Sequence, residues 1–96
     1  MQTLVNLHKT DDIYLASYII AKQALKLAKI TVKDEYGRFH FYDPSNKGDA
    51  LAVELASGGQ VPALLFQQYI RNLKTQVHAL INRQTARKPS VYAAVR

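Results

Sequence analysis

The side chains of this 96-residue sequence best suited to chemistry are three histidines, seven carboxylates and thirteen bases. His8, His40 and His78 fall on three separate segments, and no two have the i, i+4 or short-loop spacing of a zinc site. Cysteine is absent. That removes thiolate metal sites, iron–sulfur clusters, disulfides and a thiol nucleophile together. Asp34, Glu35 and Asp43 flank a hairpin, as the carboxylates of a two-metal nuclease do. Their placement argues against that chemistry. Asp34 and Glu35 stand in the turn, where acids are expected anyway. Asp43 lies at the other end of the hairpin, roughly 15–20 Å away at about 3.3 Å per residue. Gly58-Gly59 lacks the following Lys-Ser or Lys-Thr of a phosphate loop. The sequence therefore predicts no catalytic group, no cofactor and no metal.

The bases point elsewhere. The net charge is +6, and it is uneven. Residues 1–82 hold nine bases against all seven acids, a net of +2, whereas residues 83–96 hold Arg83, Arg87, Lys88 and Arg96 with no acid, a net of +4. A basic arm on a nearly balanced domain suits a phosphate backbone or an acidic partner. Two further groups of bases add to it. Lys33 and Arg38 fall on the polar face of the hairpin, directly opposite each other if the turn centres between Glu35 and Tyr36. Lys29 then faces Tyr42 and Thr31 faces His40, a basic, aromatic-dotted strip of the kind nucleic-acid-binding sheets use. Gln67, Arg71, Lys74 and His78 form a stripe on the last helix. Lys33, Arg38, Arg71, Lys74, Arg83, Arg87 and Lys88 are accordingly the candidate contacts to DNA or RNA. The competing reading is a solvated face, with Asp34 or Glu35 neutralising Lys33 and Arg38 locally and Arg83 merely complementing a helix dipole.

These residues need a scaffold, and 48% hydrophobic with 21% charged residues suits one small globular domain. Thr3 to Leu7 alternates weakly, as a short edge strand does. Thr10-Asp11-Asp12 marks a helix start, and residues 13–24 form a helix apolar on nearly every side. Ala28, Ile30 and Val32, then Phe39 and Phe41, alternate with polar residues as a hairpin. The register places Val32 opposite Phe39 and Ile30 opposite Phe41. Leu25 and Leu27 have the wrong parity, so a bulge or a connection is expected near residue 27. A second helix over 47–56 ends at Gly58-Gly59. A third begins at Pro62, and its period of Phe66, Ile70, Leu73, Val77 and Leu80 or Ile81 carries it to residue 83. The expected fold is α+β in the order (β)αββαα, with helices on one face of a small antiparallel sheet. Residues 1–83 form the domain and 84–96 a basic tail.

Two stripes run along the first helix. One can face the hairpin. The other, with Leu15, Tyr18 and Ile19, needs either the long helix or a second subunit, and together with Val91 and Tyr92 of the tail it is the candidate interface of a homodimer. The longest apolar stretch, residues 13–21, is interrupted by Ser17 and is about half the ~20 residues a membrane helix needs. No basic segment followed by an apolar run opens the chain. A cytoplasmic protein with no membrane partner is expected.

Several short motifs also have a counterpart. Lys9-Thr10-Asp11-Asp12-Ile13-Tyr14-Leu15-Ala16, Arg38-Phe39-His40-Phe41-Tyr42-Asp43, Val61-Pro62-Ala63 with Phe66, and Arg71-Asn72-Leu73-Lys74 together resemble a small prokaryotic and phage domain family of unknown function. The likeness covers roughly residues 8–82 and leaves the tail outside. It implies a compact α/β domain and lends no activity. Where the family pattern has a glycine after the first helix, Gln23-Ala24-Leu25 stands here.

Overall fold

Two carboxylates start two of the helices and so set the frame. The computed structural model describes residues 6–87. Strand β1 (Leu7–Thr10) leads into helix α1 (Ile13–Lys22) through Asp12, whose side chain accepts from the backbone N–H of Tyr14 at 2.9 Å and of Leu15 at 3.4 Å. At its other end Gln23 takes the left-handed conformation, φ 57°, and returns its N–H to Ile19 and Ile20. A glycine is the usual choice there. Glutamine does the same job at a cost of about 1–2 kcal/mol.

Strands β2 (Lys26–Lys33) and β3 (Tyr36–Tyr42) form the hairpin, and β1 pairs with the other edge of β3, giving the antiparallel order β1-β3-β2. The observed register differs from the expected one. Ile30 pairs with Phe39, Thr31 with Arg38 and Val32 with Gly37. The turn is the two residues Asp34 and Glu35, with Asp34 at φ 59°. Asp34 thus supplies the positive φ expected of Gly37. Gly37 instead lies within β3, where a Cβ would come 2.6 Å from Val77 Cγ2 of the long helix. Its missing side chain lets that helix approach. The pairing has moved by one residue on each strand, which preserves the faces, so the apolar side expected of the hairpin holds. The expected irregularity near residue 27 is a bulge at Ala28, which brings Leu27 opposite Phe41 and onto that same side.

Helix α2 (Gly48–Ala56) starts under Asp43, whose carboxylate accepts from Lys47 N at 2.6 Å and Gly48 N at 2.8 Å. It ends at Ser57, with Gly58 at φ 97°. Helix α3 (Ala63–Arg87) is 25 residues and about 37 Å long. It runs four residues past the expected end, so the boundary drawn at 83/84 falls inside a helix. The described residues form the α+β domain expected, three antiparallel strands and three helices in the order β-α-β-β-α-α. Among the described residues no helix is long and apolar enough to cross a membrane.

The core joins α1, α3 and one face of the sheet. Tyr18, Ile19, Phe39, Phe41 and Leu73 are its most deeply buried large side chains. Leu15, Tyr18 and Ile19 are therefore enclosed within one chain, which withdraws them as an oligomer interface: α1 lies against α3 and the sheet, so its second stripe is not free. Tyr18 also ties α1 to α2. Its hydroxyl donates to Glu54, which Lys22 joins by an ion pair. Gly59 packs over that hydroxyl, and a Cβ there would come 2.1 Å from it. Gly59→Ala is expected to cost about 1–3 kcal/mol in urea unfolding, because the buried ring cannot yield. Adding Tyr18→Phe should return part of that loss. Equal losses in both backgrounds would show that the contact is not the cause.

Candidate nucleic-acid interface

Strand alternation sends every second residue of the sheet away from the helices. On β3 these are Tyr36, Arg38, His40 and Tyr42. On β2 they are Lys26, Lys29, Thr31 and Lys33, opposite Tyr42, His40, Arg38 and Tyr36 respectively. On β1 they are Leu7, opposite Tyr42, and Lys9, opposite His40. Five bases and two tyrosines thus share one sheet face, with Tyr36 73% and Tyr42 44% exposed at its ends.

The register corrects the expected pairings on this face, and Lys29 faces His40 where Tyr42 was expected. Lys33 faces Tyr36 and Arg38 faces Thr31, so the two bases are not directly opposed. Arg38 instead holds Asp11, with Nε 2.8 Å from Oδ1. That hydrogen bond keeps the Asp11 carboxyl below the usual range and raises the Arg38 guanidinium. The expected pairing of Thr31 and His40 is realised diagonally, Oγ1 and Nε2 being 2.9 Å apart.

His40 is the unusual member. It is only 7% exposed although no helix among the described residues covers its face, and its Nδ1 is buried without a hydrogen-bond partner there. Burial first, then the charges of Lys29, Lys9 and Arg38, hold its pKa below the ordinary histidine value. The unfolded chain consequently binds a proton on this ring at a higher pH than the folded one. The ring's contribution makes the domain less stable as pH falls through the ordinary histidine range near 6.5. Thermal unfolding of the wild type and His40→Gln at about pH 5.5 and 7.5 checks this: the wild type should lose more of its melting temperature on acidification than the variant.

The other candidates disperse. Arg71, Lys74 and Arg83 are on α3, in the layer behind the sheet. Lys74 lies with Asp11 and His78 around one small cavity, and Arg83 with Lys29 around another at the edge of β2. Arg87 is the last residue of α3, while Lys88, Val91 and Tyr92 lie outside the described residues. The fold brings Lys33 and Arg38 together with Lys9 and Lys26, which the sequence reading passed over. Lys9 was missed because β1 points the polar residues His8 and Thr10 inward, so it carries no hydrophobic alternation. Asp43, weighed as a metal-site carboxylate, is 4% exposed and occupied by the start of α2. Among the described residues no three His, Asp or Glu side chains gather as metal ligands would.

Compared with known proteins, the chain matches no family model, no curated protein and no solved structure. The short motifs around Asp12, Asp43, Phe39, Phe41 and Leu73 have structural roles here: Asp12 and Asp43 start helices, and Phe39, Phe41 and Leu73 fill the core.

Proposed function

We propose that this protein is a small, non-catalytic, cytoplasmic accessory protein that holds nucleic acid weakly by its phosphate backbone on the open sheet face. One observation carries the reading: Lys9, Lys26, Lys29, Lys33 and Arg38 share a face with exposed Tyr36 and Tyr42. Bases follow a backbone and aromatic rings stack on unpaired bases, which favours a single strand and gives little sequence preference. Dissociation constants near 10⁻⁴–10⁻⁶ M at physiological salt are the scale for such binding.

Salt and charge variants test it. With about three to five phosphates neutralised on a single strand, raising salt from about 50 to 200 mM should weaken binding roughly 20- to 130-fold. Lys29→Ala with Lys33→Ala should weaken it further and flatten the log–log slope by about 1.4. Arg71→Ala with Lys74→Ala, behind the sheet, should do less. The reverse ranking would move the interface to α3.

A second reading, self-association, has its own observation. β2 has no partner on its outer side among the described residues. Beside it α3 leaves a groove walled by Leu25, Leu27, Ile30, Tyr69 and Leu80. Antiparallel pairing of β2 with its copy about a two-fold axis would continue the sheet and join two basic faces. Sedimentation at low micromolar concentration decides: twice the 10.8 kDa chain mass supports the dimer, and the single mass removes it.

A further inference from the structure

His40 is a buried ring faced by three bases. Lys9 of β1 and Lys29 of β2 stand opposite it on either side, and Arg38 follows two residues away on the same face of β3. Beside it opens a cavity of about 460 Å³ lined by Lys9, Thr31, Lys33, Tyr36, Arg38 and His40. Two carboxylates reach this cavity. Asp11 is taken up by Arg38, and Asp34 belongs to the turn. Lys26 and Tyr42 lie at the far end of the face, and the helices pack on the other side of the sheet. The charges facing the ring are all positive, and Nδ1 lacks a partner.

Resting on the nucleic-acid reading above, we propose that this cavity seats a backbone phosphate between Lys9, Lys33 and Arg38, and that His40 takes up a proton from solvent as the phosphate binds. The exposed side chains of Lys9 and Lys33 shift to admit the anion. An imidazolium has two N–H groups to place. Nε2–H donates to Thr31 Oγ1, and Nδ1–H donates to a phosphate oxygen, the acceptor it lacks in the free protein. Without the anion, a proton on His40 adds a positive charge beside Lys9, Lys29 and the Asp11-paired Arg38 in a poorly solvated place. With it, the charges alternate. Ligand binding and protonation then reinforce each other, so binding tightens on acidification by at most about tenfold per pH unit.

The test follows the His40 ring resonances by NMR over about pH 5 to 8, free and saturated with an oligothymidylate of about ten nucleotides, whose bases do not titrate in this range. The His40 midpoint should move up by about one unit on saturation, and less in Lys9→Gln with Lys33→Gln. Affinity measured by fluorescence anisotropy at about 50 mM salt should rise roughly 3- to 10-fold from pH 7.5 to 5.5. His40→Gln should flatten that rise. If the strand binds the sheet while the His40 midpoint stays in place, the proton-coupled seat is overturned and the sheet-face reading stands. If no strand binds at low salt, both fall. Should His40→Gln fail to fold, the wild-type NMR arm decides alone.

Discussion

Ile19→Glu is expected to unfold the domain outright. Ile19 is 0% exposed within a single chain, packed where α1 meets α3 and the sheet. Losing its burial costs about 1.5–3 kcal/mol. A glutamate there must stay neutral, and raising its pKa from the ordinary 4.3 or so to above 7 costs roughly 3–4 kcal/mol more. Together these approach the whole stability of a chain this size, about 5–14 kcal/mol at 0.05–0.15 kcal/mol per residue. Circular dichroism and one-dimensional NMR should show lost helix and lost dispersion. Leu64→Glu on α3, where the side chain is 82% exposed, is the control and should stay within about 0.5 kcal/mol of the wild type. A folded Ile19→Glu with an unchanged unfolding midpoint would return that stripe to the surface and reopen it as an interface.

Asp43→Ala is expected to be the most damaging substitution of any acid in the domain, at about 2–4 kcal/mol. The carboxylate, 4% exposed, receives two backbone N–H groups at the positive end of α2, and the backbone around it is engaged as well. Its N–H donates to the Asn6 carbonyl at 2.8 Å, and its carbonyl accepts from Asn46 at 3.2 Å. Alanine leaves two enclosed donors without acceptors and removes a negative charge that the helix dipole favours. Asp43→Asn keeps the shape and one acceptor oxygen, so it should lose about half as much. Asp49→Ala, in the exposed first turn of the same helix, should lose only tenths of a kcal/mol. Urea unfolding should rank them Asp49→Ala, Asp43→Asn, Asp43→Ala in rising cost. Equal costs for Asp43→Ala and Asp49→Ala would mean that the two N–H bonds contribute nothing.

These two positions mark where sequence reasoning stops. Asp43 reads as an ordinary turn former before Pro44, because the turn and the cap use the same residue type. Only the path from β3 into α2 places its carboxylate on N–H groups four and five residues ahead. Ile19 reads as half of a surplus apolar face, since a helix apolar all round does not say which neighbour covers it. On the functional side, Lys33, Arg38, Lys29 and Tyr42 were legible as one strip from period two alone. Lys9 was not, and it completes the ring of charge around His40.

Local chemistry by itself determined the α+β order, the start of α1 at Thr10-Asp11-Asp12, the glycine stop of α2, the three-four period of α3, the irregularity near residue 27 and the apolar side of the hairpin. Each rests on interactions within a few residues, or on a period that survives small shifts. Tertiary structure alone decided the register, because moving each strand by one residue in opposite senses keeps every side chain on its face and leaves the pattern unchanged. The choice fell to Asp34 accepting a left-handed turn position and to Val77 needing the space above Gly37. It also decided that β1 joins the far edge of β3, a pairing some thirty residues apart in sequence that no local pattern encodes. Burial of the second α1 stripe and enclosure of His40 follow from the same long-range packing, in which distant segments fill space and exclude water from groups whose neighbours in sequence say nothing about it.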